Sequence, residues 1–206
     1  KLFADGSVSG ATAAVTTPFL NGSTGMVTLD DGALEAAAEY ARTNKIQLSV
    51  HAMGDRAVGR IIDFFEDQTP WLEDRPSVRI EHATFLNEAQ LARMNASAMR
   101  FGVTTQVIFP YAEIEGYRAV LAPKDLERVY PVRTVSSALD AFALSSDAPA
   151  TAWADPDDPF VSMGAAVTRT AWDGTVFNRS EAVSCEEAVS LYTSRPMRSE
   201  ERRVGK

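Results

Sequence analysis

His51 and His82 are the only histidines in this 206-residue chain. Each closes a short apolar run, Ile46 to Val50 before His51 and Val78 to Glu81 before His82. A third run, Phe142-Ala143-Leu144, leads through Ser145 and Ser146 to Asp147. In enzymes built on parallel sheets, reactive groups sit at the C-terminal ends of strands, where the strand-to-helix loops converge. Two imidazoles and a carboxylate placed there suit Zn²⁺ or a similar divalent cation, which brings the pKa of a bound water down to about 7. Asp147 then doubles as a ligand and as the group that takes a proton from the attacking water and passes it to a leaving amine. Each residue also has a plainer reading: a histidine at a strand end can be structural, and Asp147 can cap the segment after it.

The elements that must position these groups follow from periodicity. From Asp30 onward, helical stripes alternate with short apolar runs, the pattern of βα units on a parallel sheet and hence of an α/β fold. Asp30-Asp31 caps a helix with Leu34, Ala37, Ala38 and Ala41 on one side, ending near Asn44. Gly54-Asp55 opens a second helix, from Ala57 to Phe65, with Asp55 itself either an N-cap or a site contact. Asn87 caps a third helix running to about Met94, and Phe101 to Val107 forms a strand ending near Gln106. Short helices are expected between Pro110 and Tyr130, a helix from Val132 to Leu139, a strand over Asp140–Leu144 and helices near Phe160–Thr168 and Ser184–Tyr192. Ser184 and Glu187 stand at capping-box spacing. The Gly-, Ser- and Thr-rich stretch Gly6 to Gly25 breaks the rhythm; a loop of that length in a compact domain is usually a lid or an insertion.

Composition narrows the classes. The formal charge is −8, and setting aside Arg198–Lys206, which carries four basic and two acidic residues, takes it to −10. That segment reads as the translation of a common sequencing adapter and is expected to be non-native, leaving 1–197 as the domain. An acidic surface without Lys/Arg clusters argues against nucleic acid as a partner. No apolar stretch approaches the roughly 20 residues needed to span a bilayer, so no membrane role is expected and the cytoplasm is favoured. The lone Cys185 is read as a half-buried thiol at a helix start. A homo-oligomer is compatible with all of this.

Four segments carry a resemblance: Lys1-Leu2-Phe3-Ala4-Asp5-Gly6-Ser7, His51-Ala52-Met53-Gly54-Asp55-Arg56-Ala57, Arg79-Ile80-Glu81-His82-Ala83 and Ser145-Ser146-Asp147-Ala148-Pro149. In that order and spacing they resemble the motif series of amidohydrolase family 3, which includes N-substituted formamide deformylase-like enzymes of the metal-dependent amidohydrolase superfamily. The resemblance implies a partial TIM (β/α)8 barrel in which Lys1 belongs to the fourth strand, His51 to the fifth, His82 to the sixth and Asp147 to the eighth. It implies metal ligation by His51, His82 and Asp147, and by Lys1 where that lysine is carboxylated and bridges two ions.

The family's His-x-His pair has no counterpart, so strands one to three and the β-sandwich domain are expected to lie outside this sequence, and the 206-residue chain is expected to bind metal poorly and turn over nothing. The expected function is hydrolysis of carbon–nitrogen bonds other than peptide bonds in a small-molecule, amide-type substrate by metal-bound hydroxide. Substrate-contact candidates are Asp5, Gly6, where the backbone can approach closely, and Gln106, which can equally satisfy a loop. Trp153, Phe109 and Tyr111 either line an apolar pocket or pack under loops, and Arg79 and Glu81 face together as an ion pair. The competing readings are a non-catalytic α/β small-molecule-binding domain with structural histidines, and phosphoester hydrolysis, which lacks an accompanying anion cradle.

Overall fold

The computed structural model describes residues 1–196, so the reading of Arg198–Lys206 lies outside the described residues. Five strands form one parallel sheet in the order β1 to β5: β1 (Leu2–Phe3), β2 (Leu48–Ala52), β3 (Val78–His82), β4 (Phe101–Thr105) and β5 (Phe142–Leu144). Each strand pairs in parallel with the next in the chain, and helices connect them from β2 onward. The register sets His51 beside Phe3 and Glu81, and Glu81 beside Thr104. Alternation therefore puts Ser49, His51, Arg79, Glu81 and Thr104 on one face. The other face is apolar and carries Leu48, Val50, Val78, Ile80, Val103 and Phe142.

Helices cover that apolar face for reasons visible in their sequences. In α1 (Asp31–Asn44) the Asp30 side chain accepts from the Ala33 amide at 2.7 Å, and Leu34, Ala38 and Ala41 are buried. The second helix, α2 (Asp55–Phe65), buries Val58, Ile61, Ile62 and Phe65 along one stripe. Its N-cap is Gly54, not Asp55, whose carboxylate instead accepts from the Thr16 amide at 2.8 Å. A reciprocal Asn87–Gln90 capping box starts α3 (Glu88–Ala96). The expected short helices are α4 (Ile108–Ala112), α5 (Ile114–Val120) and α6 (Pro123–Leu126), followed by α7 (Val132–Ala138). Beyond β5 come α8 (Pro159–Thr168) and α9 (Cys185–Thr193), the latter capped by Ser184 accepting from the Glu187 amide. Cys185 is exposed rather than half-buried, because the first turn of α9 turns it outward.

Between β1 and α1 the chain forms no helix or strand, yet it is packed. Val8, Ala13, Ala14, Val15 and Phe19 are buried, and the segment is fastened by Thr28 N donating to Ala4 O, Val15 N to Thr24 O and Leu20 N to Val120 O. It runs as a strap from the ends of β1 and β2 across to α5. Two glycines permit this closeness: a side chain at Gly54 would overlap the Ala14 backbone, and one at Gly25 (φ 59°) would overlap the Ala13 carbonyl.

The C-terminal helices are tied down by Arg169, fully buried at the end of α8 and donating to the carbonyls of Asn178, Val129 and Tyr130 while lying 4.7 Å from the Phe177 ring centroid. Burial lowers its pKa to about 10, so the guanidinium stays charged at neutral pH.

The stripe of α2 contributes more stability than any single cap. Ile62→Ala is expected to cost about 2–5 kcal/mol of unfolding free energy, and Asp30→Ala about 1 kcal/mol, in urea titrations of both variants.

Candidate active site

The segments that follow the strands meet at the C-terminal edge of the sheet, and the side chains singled out in the sequence gather there. The ring centroids of His51 and His82 are 4.5 Å apart, edge to face. Asp147 places Oδ2 at 3.9 Å from His82 Nε2 and Oδ1 at 3.9 Å from Lys1 Nζ. Lys1 lies 5.5 Å from the Phe3 ring centroid, and Phe3 in turn leans on His51. Among the described residues no group of three His, Cys, Asp or Glu side chains is drawn close enough to hold a metal ion. The rings and the carboxylate share one mouth without closing on a common point.

His82 reaches this mouth by a backbone reversal. Simple alternation assigns it to the helix-facing side with Val78 and Ile80. Instead φ is 72° at His82 and 47° at Ala83, a left-handed pair that costs on the order of 1–3 kcal/mol per residue and redirects the imidazole toward His51. Thr105 Oγ1 holds the turn by donating to His82 O at 2.6 Å, and Ala83 N donates to Ala52 O. Phe109 stacks on the imidazole at 5.5 Å, so it packs against the site while Trp153 stays 59% exposed beside Trp172. Burial, reinforced by His51 and Lys1, lowers the His82 pKa to about 3, against a smaller opposing influence of Gln106. The ring is therefore neutral at pH 7, with a lone pair to offer.

Asp5 is buried, and its carboxylate is fully engaged with main chain. Oδ2 accepts from Ala14 N at 2.9 Å and Gly54 N at 2.8 Å, and Oδ1 from Met53 N at 2.9 Å. His51 Nε2 stands 3.5 Å from Oδ1 and donates to the Gly6 carbonyl at 2.9 Å. Burial pushes the Asp5 carboxyl up from its ordinary value, against the opposing pull of the Met53, Gly54 and Ala14 amides. The side of Gly6 where a side chain would stand is filled by Thr12, whose Cβ would lie at 2.7 Å. Gln106 is 1% exposed and donates from Nε2 to Ser145 Oγ at 2.9 Å, joining the ends of β4 and β5. Glu81 accepts from both Ser49 and Arg79, tying β2 to β3 below the imidazoles.

A parallel α/β sheet with two imidazoles and a carboxylate at the C-terminal ends of its strands defines a hydrolase-like architecture. The chain belongs to the amidohydrolase family, whose model matches residues 1–205. It is 28% identical over 198 residues to the Bacillus subtilis (strain 168) protein named amidohydrolase YtcJ, covering 94% of this chain and 36% of that one. It is 26% identical over 151 residues to the N-substituted formamide deformylase of Arthrobacter pascens, covering 73% of this chain and 27% of that one. Among solved structures, an uncharacterized metal-dependent hydrolase from Pyrococcus horikoshii OT3 superposes with a TM-score of 0.81 at 25% identity, and one from Pyrococcus furiosus with 0.78 at 28%. Each match covers 96% of this chain and 39% of the solved one, so the chain spans well under half the length of the relatives it resembles.

Two outcomes follow from the geometry. Asp5→Ala leaves three buried amides without an acceptor, at about 1–3 kcal/mol for each; hydrogen exchange at Ala14, Met53 and Gly54 should accelerate together, and persistent protection of all three would contradict the role given to Asp5. For His82 the folded pKa of about 3 lies below the ordinary 6.5. Unfolding thus takes up a proton in acid, and the contribution is complete above pH 6.5 and lost as pH falls toward 3. Between pH 6 and 5 the unfolding free energy of the wild type should fall by about 1 kcal/mol more than that of His82→Gln.

Proposed function

We propose that this chain is the part of a metal-dependent amidohydrolase that carries His51, His82, Asp147 and Lys1, and that the substrate is a small amide-type molecule cleaved at a carbon–nitrogen bond other than a peptide bond. The observation that carries the reading is the meeting of His51, neutral His82 and Asp147 at the strand ends of a family member. The strand order β1 to β5, with β1 and β5 at open edges, supports a place for them as strands four to eight of a (β/α)8 barrel, with residues 1–197 forming this part of the catalytic domain. The deformylase relative's name supports an amide-type substrate. We read the enzyme as cytoplasmic; among the described residues no helix is long and apolar enough to cross a membrane.

The donor set fits a borderline divalent cation such as Zn²⁺, one ion or two: imidazole nitrogen and carboxylate oxygen are its usual partners, and His82 is held in the deprotonated form that ligation needs. His51, His82 and Asp147 would hold it, with Lys1 at the adjoining position. When bound, such a cation supplies an acidified water and polarises a carbonyl. The chain's own groups do the rest. Asp147, with 37% of its side chain exposed, faces the mouth and is placed to take a proton from water and return it to the leaving nitrogen. Lys1 pairs with Asp147, its Nζ 3.9 Å from Oδ1. The strap between β1 and α1 shields the edge beside His51, so Asp5 serves the substrate by shaping that wall and Gly6 by presenting its backbone.

Zn²⁺ affinity measured by calorimetry, with elemental analysis of metal per chain, tests this reading. Binding should weaken at least about tenfold in each of His51→Ala, His82→Ala and Asp147→Ala. Affinities unchanged in all three would favour a binding domain with structural histidines.

A further inference from the structure

Two of the three tryptophans stand at the surface, Trp153 at 59% exposure and Trp172 at 49%, while Trp71 is buried. Side chains with so much apolar area are usually well covered in a folded chain. Here the two indoles meet at right angles, ring centroids 5.8 Å apart and planes at 85°, as two walls of an open corner. Each wall is held in place. Trp153 sits on the short turn Ala152–Ala154, between Thr151 (φ 55°) and Asp155 (φ 49°), both in the left-handed region that is unfavourable for residues other than glycine. Trp172 donates from its backbone N–H to Tyr111 O and from Nε1 to Glu115 Oε2, both at 3.3 Å. The segments behind the corner are the ones that bear site groups: Tyr111 follows Phe109 on α4, and Trp153 lies on the segment that leads on from Asp147.

We propose that Trp153 and Trp172 form a binding corner for an alkylammonium group. Ring faces attract a cation through their quadrupole, indole most of all, and two faces at right angles can each touch one side of it. The local charge has the matching sign. Glu115 lies against the edge of Trp172, and Asp155 and Asp157 follow Trp153 in the chain. Arg118 is drawn to Asp173, at 3.6 Å, so the other carboxylates set the sign at the corner. An anion would be repelled here, and a neutral group of the same shape would gain contact without the attraction of rings and carboxylates. Charge is therefore the property that this corner selects. That the ammonium group is a substituent of the molecule held at the mouth rests on the proposed function; the binding corner itself does not.

Choline is a suitable probe, against its uncharged isostere in which a tert-butyl group replaces the trimethylammonium. In proton–nitrogen correlation spectra of the ¹⁵N-labelled 206-residue chain the three indole N–H signals report separately, with Trp71, bonded to Ile46 O, as the internal reference. Choline should shift the Trp153 and Trp172 signals together and saturably, leave Trp71 unmoved, and bind at least about threefold more tightly than the isostere. Trp153→Leu and Trp172→Leu should each weaken choline binding at least about threefold. Glu115→Gln keeps an acceptor for Trp172 Nε1 and removes the charge, and should weaken it about two- to fivefold. No saturable shift, an isostere bound as tightly as choline, or an affinity unchanged in both leucine variants overturns the proposal. If the leucine variants do not fold, the comparison of choline with its isostere in the wild type decides. Zn²⁺ affinity should be unmoved in Trp153→Leu. Choline binding that behaves as expected while the metal affinities of the His51, His82 and Asp147 variants do not respond would locate the failure in the metal reading alone.

Discussion

A buried carboxylate with no water to solvate it must be met by donors, and the three amides that meet Asp5 come from two segments far apart in the chain. Ala14 belongs to the strap, while Met53 and Gly54 form the turn after β2. One side chain thus fixes where the strap crosses the sheet and where the strand bearing His51 ends. The nearby small residues follow from that closeness: Thr12 fills the space at Gly6, and Gly54 lets the Ala14 backbone in. Asp55, at the start of α2, adds a second tie by accepting the Thr16 amide, so the strap is held at Ala14 by Asp5 and at Thr16 by an acid that follows β2. The arrangement places stability and site geometry in the same few bonds.

His82 shows the opposite economy. Its left-handed backbone is unfavourable locally, and the surrounding bonds from Thr105 and to Ala52 compensate for it. What the strain achieves is direction, since a regular strand would send the imidazole toward the helices. Buried polar atoms left without partners also gather here, at His82 Nδ1, Thr104 Oγ1 and Gln106 Oε1 on adjacent strands β3 and β4 and just past β4. A packed structural core rarely tolerates such neighbours.

Much of this was legible in the residues. Caps at Asp30, Asn87 and Ser184 and the apolar stripe of α2 are local chemistry, so the helices fell where their signals lay. Strand limits shifted by one or two residues: β2 begins at Leu48 rather than Ile46 and β5 at Phe142 rather than Asp140, because pairing with a neighbour decides them. The histidines and Asp147 stood out through scarcity and position. Asp5, Arg169 and the turn at His82 did not, for each is defined by partners distant in sequence. An aspartate beside a glycine reads as a loop residue, and a lone arginine after a helix reads as a surface charge. No local pattern reports that carbonyls from Val129, Tyr130 and Asn178 will enclose Arg169.

The three groups at the mouth differ in how firmly they are held, and the difference matches the work proposed for them. His82 is buried and stacked on Phe109; His51 is bonded to Gly6 and faces Asp5. Asp147 is more exposed, sits in a left-handed turn closed by Ala150 N, and meets Lys1 and His82 only at 3.9 Å. Ligands that orient a cation benefit from rigid support, because a misplacement of about 1 Å is costly in rate. A group that collects a proton at one atom and delivers it to another must instead rotate between them. On strand ends shaped as these are, the carboxylate is the member with room to do so.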